Sequence, residues 1–355
     1  MLLKYILFSI IEIIMLKIFN PQGTDNKNDR KIFGGNSTGI INLNNVKFEW
    51  GNQLWRQMRE NFWVAEKFDI SQDVVTYNHL TSSERKAFDG IFAFLVFLDS
   101  VQTNNIPIFI QKCTAPEIQN CFSEQQSQET LHAQSYQYAI ETIIPPEKRE
   151  QIYDYWRKDE VLKSRCEEIA SFYQENLDTN SELALYKALV ADYVLESILF
   201  YMGFVYFYNL ASRSLMCGLA DIIAVINRDE LAHVRLYQKI LQDEDQWKNI
   251  EGKEEIVREM MIKASENEIR WNKHILGNDI LGITHDAIEK YVKYLANLRI
   301  KALGFSTIYE GFNENPFKHL EKIGDTSTDA HVKQNFFDGT AKYQMATAVT
   351  GWDDF

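Results

Sequence analysis

Glu129-Thr130-Leu131-His132 and Glu230-Leu231-Ala232-His233 are two copies of one short pattern, and each follows a lone acid in an apolar stretch. That acid is Asp99 before the first copy and Glu196 before the second. Residues three apart share one face of an α-helix, so each Glu-x-x-His offers a carboxylate and an imidazole to a single point. Four helices supplying carboxylate, carboxylate plus His, carboxylate, and carboxylate plus His form the ligand set of a dinuclear iron or manganese bundle. This constrains the fold more than any other feature, because the ligands converge only if the four helices pack around them.

Chance must be weighed against the pattern. With 7 His and 50 acidic residues in 355, about one acid-x-x-His pair is expected from composition. The force lies in the arrangement: Asp99 precedes Glu129 by 30 residues and Glu196 precedes Glu230 by 34, so each half reads as one helical hairpin. His79, His274, His285, His319 and His331 lack an acid three residues earlier and read as surface or cap residues. Tyr136 follows His132 by one helical turn on the same face. A phenol there could be oxidised by a high-valent metal pair, although alone it reads as a core aromatic.

Sequence signals favour long helices. Hydrophobic residues make up 45% and aromatics 13%, with only six Pro and 16 Gly, enough for a large dry core with few turns. Residues up to about Asn52 lack helical periodicity and read as an extended arm. Ser82-Ser83-Glu84-Arg85 resembles a cap opening an apolar helix through Asp99. Pro116 opens a second helix, which carries Glu129 and His132 and stops before Pro145-Pro146. A third runs from about Glu147 to Glu175. A fourth runs from Ser181 through Glu196 to about Asn209, and a fifth from about Leu215 to Asp243. Two more lie near Glu254 to His274 and His285 to Leu303. Tyr193 to Tyr208 is apolar enough to suggest a membrane span, but a buried bundle helix explains Glu196 better, since a carboxylate amid hydrocarbon must be paired or metal-bound.

Net charge −13 argues against nucleic acid, whose phosphates need a basic face. Cys113, Cys121, Cys166 and Cys217 show no zinc spacing and read as reduced thiols of a cytoplasmic protein. Met1 to Phe19 is apolar but interrupted by Lys4, Glu12 and Lys17, with no cleavage site after it. The preferred reading is an over-long start with Met15 as initiator, which leaves residues 1–14 outside the mature protein and needs no membrane. From about Gly324 periodicity fades into a tail ending Trp352-Asp353-Asp354-Phe355.

From roughly Phe33 to the C-terminus the chain resembles the small, radical-generating subunit of class I ribonucleotide reductase. The segments carrying the resemblance are Glu60-Asn61-Phe62-Trp63, Leu98-Asp99-Ser100, Glu129 to Tyr136, Leu195-Glu196-Ser197 and Arg228 to His233. The resemblance implies that Asp99, Glu129 and His132 hold one metal, that Glu196, Glu230 and His233 hold the other, and that Glu129 and Glu230 bridge. It implies a stable radical on Tyr136, shielded by Phe200, Phe204 and Ile226. It further implies a relay through Trp63 and Asp229, with Asp229 hydrogen-bonded to His132, and Tyr343 as the tail tyrosine at the subunit boundary. Trp352 and Phe355 become candidate anchors on the large catalytic subunit. All six ligand positions and Tyr136 are present, and the stretch before Phe33 is too short for the nucleotide-binding cone of some relatives.

The expectation is therefore an all-α, ferritin-like bundle with an arm (1–52), a di-metal helical domain (53–323) and a large-subunit-binding tail (324–355). It would hold two iron or two manganese ions per chain, act as a homodimer, and need a flavodoxin-like activase if manganese is used. The chain has no phosphate cradle or redox cysteine pair of its own, so nucleotide reduction would fall to the partner. A ligand-binding two-metal oxidase of the same fold is the alternative; metal storage leaves the tail unexplained.

Overall fold

Phe48 ends an irregular run, and from there the chain is helical. The computed structural model describes residues 17–320. Within them lie α1 (Glu49–Glu60), α2 (Ser71–Tyr77), α3 (Ser82–Lys112), α4 (Pro116–Ile143), α5 (Pro146–Lys158) and α6 (Glu160–Asp178). They continue with α7 (Glu182–Val194), a π-helical turn over Leu195–Leu199, α8 (Tyr201–Ala211), α9 (Cys217–Leu241), α10 (Lys253–Leu276) and α11 (His285–Ala302). The described residues contain no β-sheet; Phe33 and Cys113 form an isolated antiparallel bridge.

Local chemistry sets the helix ends. Pro116 and Pro146 stand in the first turns of α4 and α5, where a missing N–H costs nothing. The cap of α3 is Thr81, one residue before the expected Ser82. Its hydroxyl accepts from the Glu84 N–H at 3.2 Å, and Glu84 accepts from the Thr81 N–H at 2.8 Å. The stretch read as one helix from Glu147 to Glu175 is two. Asp159 ends α5 and accepts from the Val161 and Leu162 N–H groups at 3.1 and 3.0 Å, so its carboxylate starts α6. The fourth helix is likewise interrupted, by the π turn at Glu196.

Two antiparallel hairpins organise the core. α3 packs along α4, while α7, the π turn and α8 pack against α9. Phe88, Phe92 and Phe207 interlock edge-to-face between them, with centroids 5.5–5.8 Å apart across the hairpins. Each such buried ring contributes about 1.5–3 kcal/mol. Two helical stretches, Ser82–Lys112 and Glu182–Ala211, are long and apolar enough to cross a membrane. Both are core helices of the bundle, the second almost wholly buried. The preceding irregular chain is strapped to the start of α4: Glu117 accepts from the Lys47 and Phe48 N–H groups at 2.9 Å each. All four cysteines are free, and only Cys217 is exposed.

Candidate metal centre

Asp99 comes from α3, Glu129 and His132 from α4, Glu196 from the π turn, and Glu230 and His233 from α9. All six are completely buried. Their ligand atoms form two groups, each lying within 4.8 Å: Asp99, Glu129 and His132, and Glu129, Glu196, Glu230 and His233. Glu129 belongs to both. Glu230 also touches both halves, with one oxygen 3.2 Å from His132 Nδ1 and the other 2.9 Å from His233 Nδ1. His233 Nδ1 is 3.2 Å from Glu129 and 3.6 Å from Glu196. The two imidazoles thus face one carboxylate cluster, with Glu129 and Glu230 at its centre.

Four buried acids cannot all ionise without a compensating charge. Burial, reinforced by the charges of Glu129 and Glu230, raises the carboxyls of Asp99 and Glu196 well above the usual range. Burial would raise Glu230 too, but His233 and His132 outweigh it and hold this carboxyl low. Several acceptors have no hydrogen-bond partner among the described residues: both oxygens of Asp99, and one each of Glu129, Glu196 and Glu230. Orphaned buried carboxylate oxygens beside two imidazoles fit a pair of divalent cations. The hard oxygen donors, with no thiolate among them, suit iron or manganese. Glu196 sits in the π turn, a kind of bulge that concentrates at functional sites.

Comparison with known proteins agrees with this geometry. The family model "Ribonucleotide reductase, small chain" matches residues 40–316. The chain belongs to the ribonucleotide reductase small-chain family. It is 38% identical over 336 residues to the ribonucleoside-diphosphate reductase subunit beta of Treponema pallidum, covering 94% of this chain and 95% of that one. The subunit beta of Halalkalibacterium halodurans is 32% identical over 327 residues, covering 91% and 94%. The solved R2 subunit of Clostridium botulinum superposes with a TM-score of 0.84 at 36% identity, covering 88% of this chain and 99% of that one. The chain is a small, beta-type chain of ribonucleoside-diphosphate reductase with the all-α, ferritin-like fold.

Around the cluster of this small chain, Tyr136 is completely buried, and the Phe92 ring meets it edge-on at 5.9 Å. Burial, and then the charge of Asp99, pushes the phenol far above its ordinary range. Phe200, Phe204 and Ile226 are also completely buried, the two rings stacked at 5.9 Å. Trp63 Nε1 donates to Asp229 Oδ2 at 2.8 Å, and the same oxygen lies 3.4 Å from His132 Nε2. Trp63 therefore connects through one carboxylate to an imidazole of the cluster. Tyr343, Trp352 and Phe355 lie outside the described residues.

A layer of amides escaped the sequence reading. Gln102 and Gln125 both donate to Glu196 Oε1, at 2.8 and 2.9 Å. Gln128 Oε1 sits 2.9 Å from His233 Nε2, and Tyr237 donates to Gln125 at 3.0 Å. Helical spacing carried the signal: Gln102 is three residues after Asp99, Gln125 four before Glu129, and Tyr237 four after His233. Phe92 precedes Asp99 by two turns, as Tyr136 follows Glu129 by two. In antiparallel helices those offsets meet.

Proposed function

We propose that Asp99, Glu129 and His132 hold one metal ion, and Glu196, Glu230 and His233 a second, with Glu129 and Glu230 shared. Once loaded with iron or manganese and oxidised by dioxygen, the pair would supply the strong one-electron oxidant the chemistry requires and take up the electron that Tyr136 loses. Tyr136 gives up an electron and its phenolic proton, and Asp99, the carboxylate that acts on it most strongly, is the group suited to receive that proton. The dry aromatic surroundings of Tyr136 deny the resulting radical hydrogen donors. Trp63 and Asp229 carry the oxidising equivalent outward, and Asp229 also orients the His132 ring. Tyr343 would extend this route to the large catalytic subunit, with residues 324–355 as the docking segment and residues 1–52 as an arm beside the catalytic bundle. That partner reduces the ribonucleotide. The working form is a cytoplasmic homodimer, assisted by a flavodoxin-like activase if manganese is the metal.

The observation that carries this reading is the sharing of Glu129 between two wholly buried ligand groups, with Tyr136 on the same helix. Electron paramagnetic resonance of aerobically iron-reconstituted protein, beside Tyr136→Phe, tests it. The parent is expected to give a tyrosyl signal; the variant should keep its metal and lose the signal. An undiminished signal in Tyr136→Phe would move the radical elsewhere.

A further inference from the structure

Gln102 and Gln125 hold the carboxylate of Glu196, but two amides at the tip of a side chain do not fix the backbone that carries it. That backbone is the π turn over Leu195–Leu199, an uncommon geometry that interrupts the regular carbonyl-to-amide ladder of a helix. Two carbonyls of the turn accept from guanidinium groups of other helices. Arg299 of α11 donates through Nε to the Ser197 carbonyl at 3.2 Å. Arg165 of α6 donates through Nη2 to the Leu199 carbonyl at 3.3 Å. Ser197 directly follows Glu196, so the first of these bonds fixes the peptide next to the ligand.

The two arginines are not equivalent. Arg165 has a counter-ion, Glu268, and lies over the Phe94 ring. Arg299 is only 5% exposed, yet among the described residues no carboxylate lies within ion-pair distance of it. A buried cation without a counter-ion is costly, and this one spends its N–H groups on neutral acceptors along a single helix face. Nη2 donates to the Tyr201 hydroxyl at 3.1 Å, and the guanidinium lies over the Tyr201 ring, 5.3 Å from its centroid. In return the Tyr193 hydroxyl donates to the Arg299 carbonyl at 2.9 Å. Tyr193, Ser197 and Tyr201 stand one before the π turn, one within it and one after it, and all three are completely buried. One residue of α11 therefore spans the turn from end to end.

We propose that Arg299 is a positioning residue of the metal centre: by clamping the π turn from α11 it aims Glu196 at the cluster. This rests on the reading of Glu196 as a metal ligand. Graded chelator soaked into crystals of the manganese-loaded full chain, read by anomalous scattering, gives the metal retention of each half separately. Arg299→Met should weaken the Glu196 half by about tenfold or more, as for other groups that orient a ligand, and leave the Asp99 half at parental affinity. Arg299→Lys keeps the buried charge and one donor but not the fork, and should weaken the same half by less. Parental affinity at the Glu196 half in Arg299→Met, or in Arg299→Lys should the first variant not fold, would overturn the proposal. Equal weakening of both halves would leave Arg299 a purely structural role and overturn it too. A parent chain with no metal beside Glu196 would instead overturn the ligand assignment, and the positioning role with it.

Discussion

The two hairpins bring similar ligands to the cluster by different means. In the first, Asp99 projects from a regular stretch of α3, and among the described residues no amide donor holds either of its oxygens. In the second, Glu196 projects from a π turn, and Gln102 and Gln125 already hold its Oε1. The longer side chain needs anchoring, because a glutamate has one more rotatable bond than an aspartate and more positions to choose from. On the proposed reading, the Asp99 half keeps a short carboxylate beside Tyr136, where a proton would move. The Glu196 half is held in advance. On that reading one half of the centre would serve the chemistry and the other the binding.

The largest effect that could break this contrast is at the shared position. Glu129→Ala should remove both ions, whereas Asp99→Ala should empty only the half beside Tyr136; elemental analysis of purified variants distinguishes them. Equal metal loss in both would mean the halves are not separable. Replacing Gln102 and Gln125 by Leu should then weaken metal binding at the Glu196 half by about 10–100-fold, the range for losing partners that orient a ligand. Competition against a chelator measures this, and an unchanged affinity would show that the π turn alone holds Glu196. Trp63→Phe leaves the Asp229 carboxylate without its indole donor and should cost about 1–3 kcal/mol of stability. Metal content should persist while turnover with the large subunit falls to background.

The smallest effect concerns how the hairpins are capped. α3 starts on the Thr81–Glu84 pair, but α9 starts against Asp73, which accepts from the Leu219 N–H at 2.6 Å. Burial pushes Asp73 up to about 6, against 3.8 for an ordinary aspartate. A raised carboxyl means the folded chain holds its proton longer than the unfolded one. Its charging therefore lowers stability as pH rises from about 4 to about 6. Asp73→Asn should flatten that part of the stability–pH curve, read by thermal unfolding across the interval. An unaltered slope would place the titration on another group.

The six acids and imidazoles were legible because helical periodicity converts sequence spacing directly into a shared face. Pro116 and Pro146 were legible because their chemistry admits few positions. The π turn was not: one extra residue in a turn leaves no compositional mark, and Glu196 reads the same in a straight helix. The break at Asp159 was hidden because aspartate is common on exposed helix faces, and only its double N–H contact shows it capping. Gln102, Gln125 and Gln128 were missed because an amide gives no charge signal. Their spacing from the ligands marks a shared face, and the partner on another helix shows what each one holds.

The most direct measurement is anomalous X-ray scattering from crystals of the metal-loaded chain. Two peaks are expected, roughly 3.5–4 Å apart as in two-metal sites, one beside Asp99 and His132 and one beside Glu196 and His233, with Glu129 and Glu230 reaching both. A single peak, or two peaks sharing neither glutamate, would contradict the account.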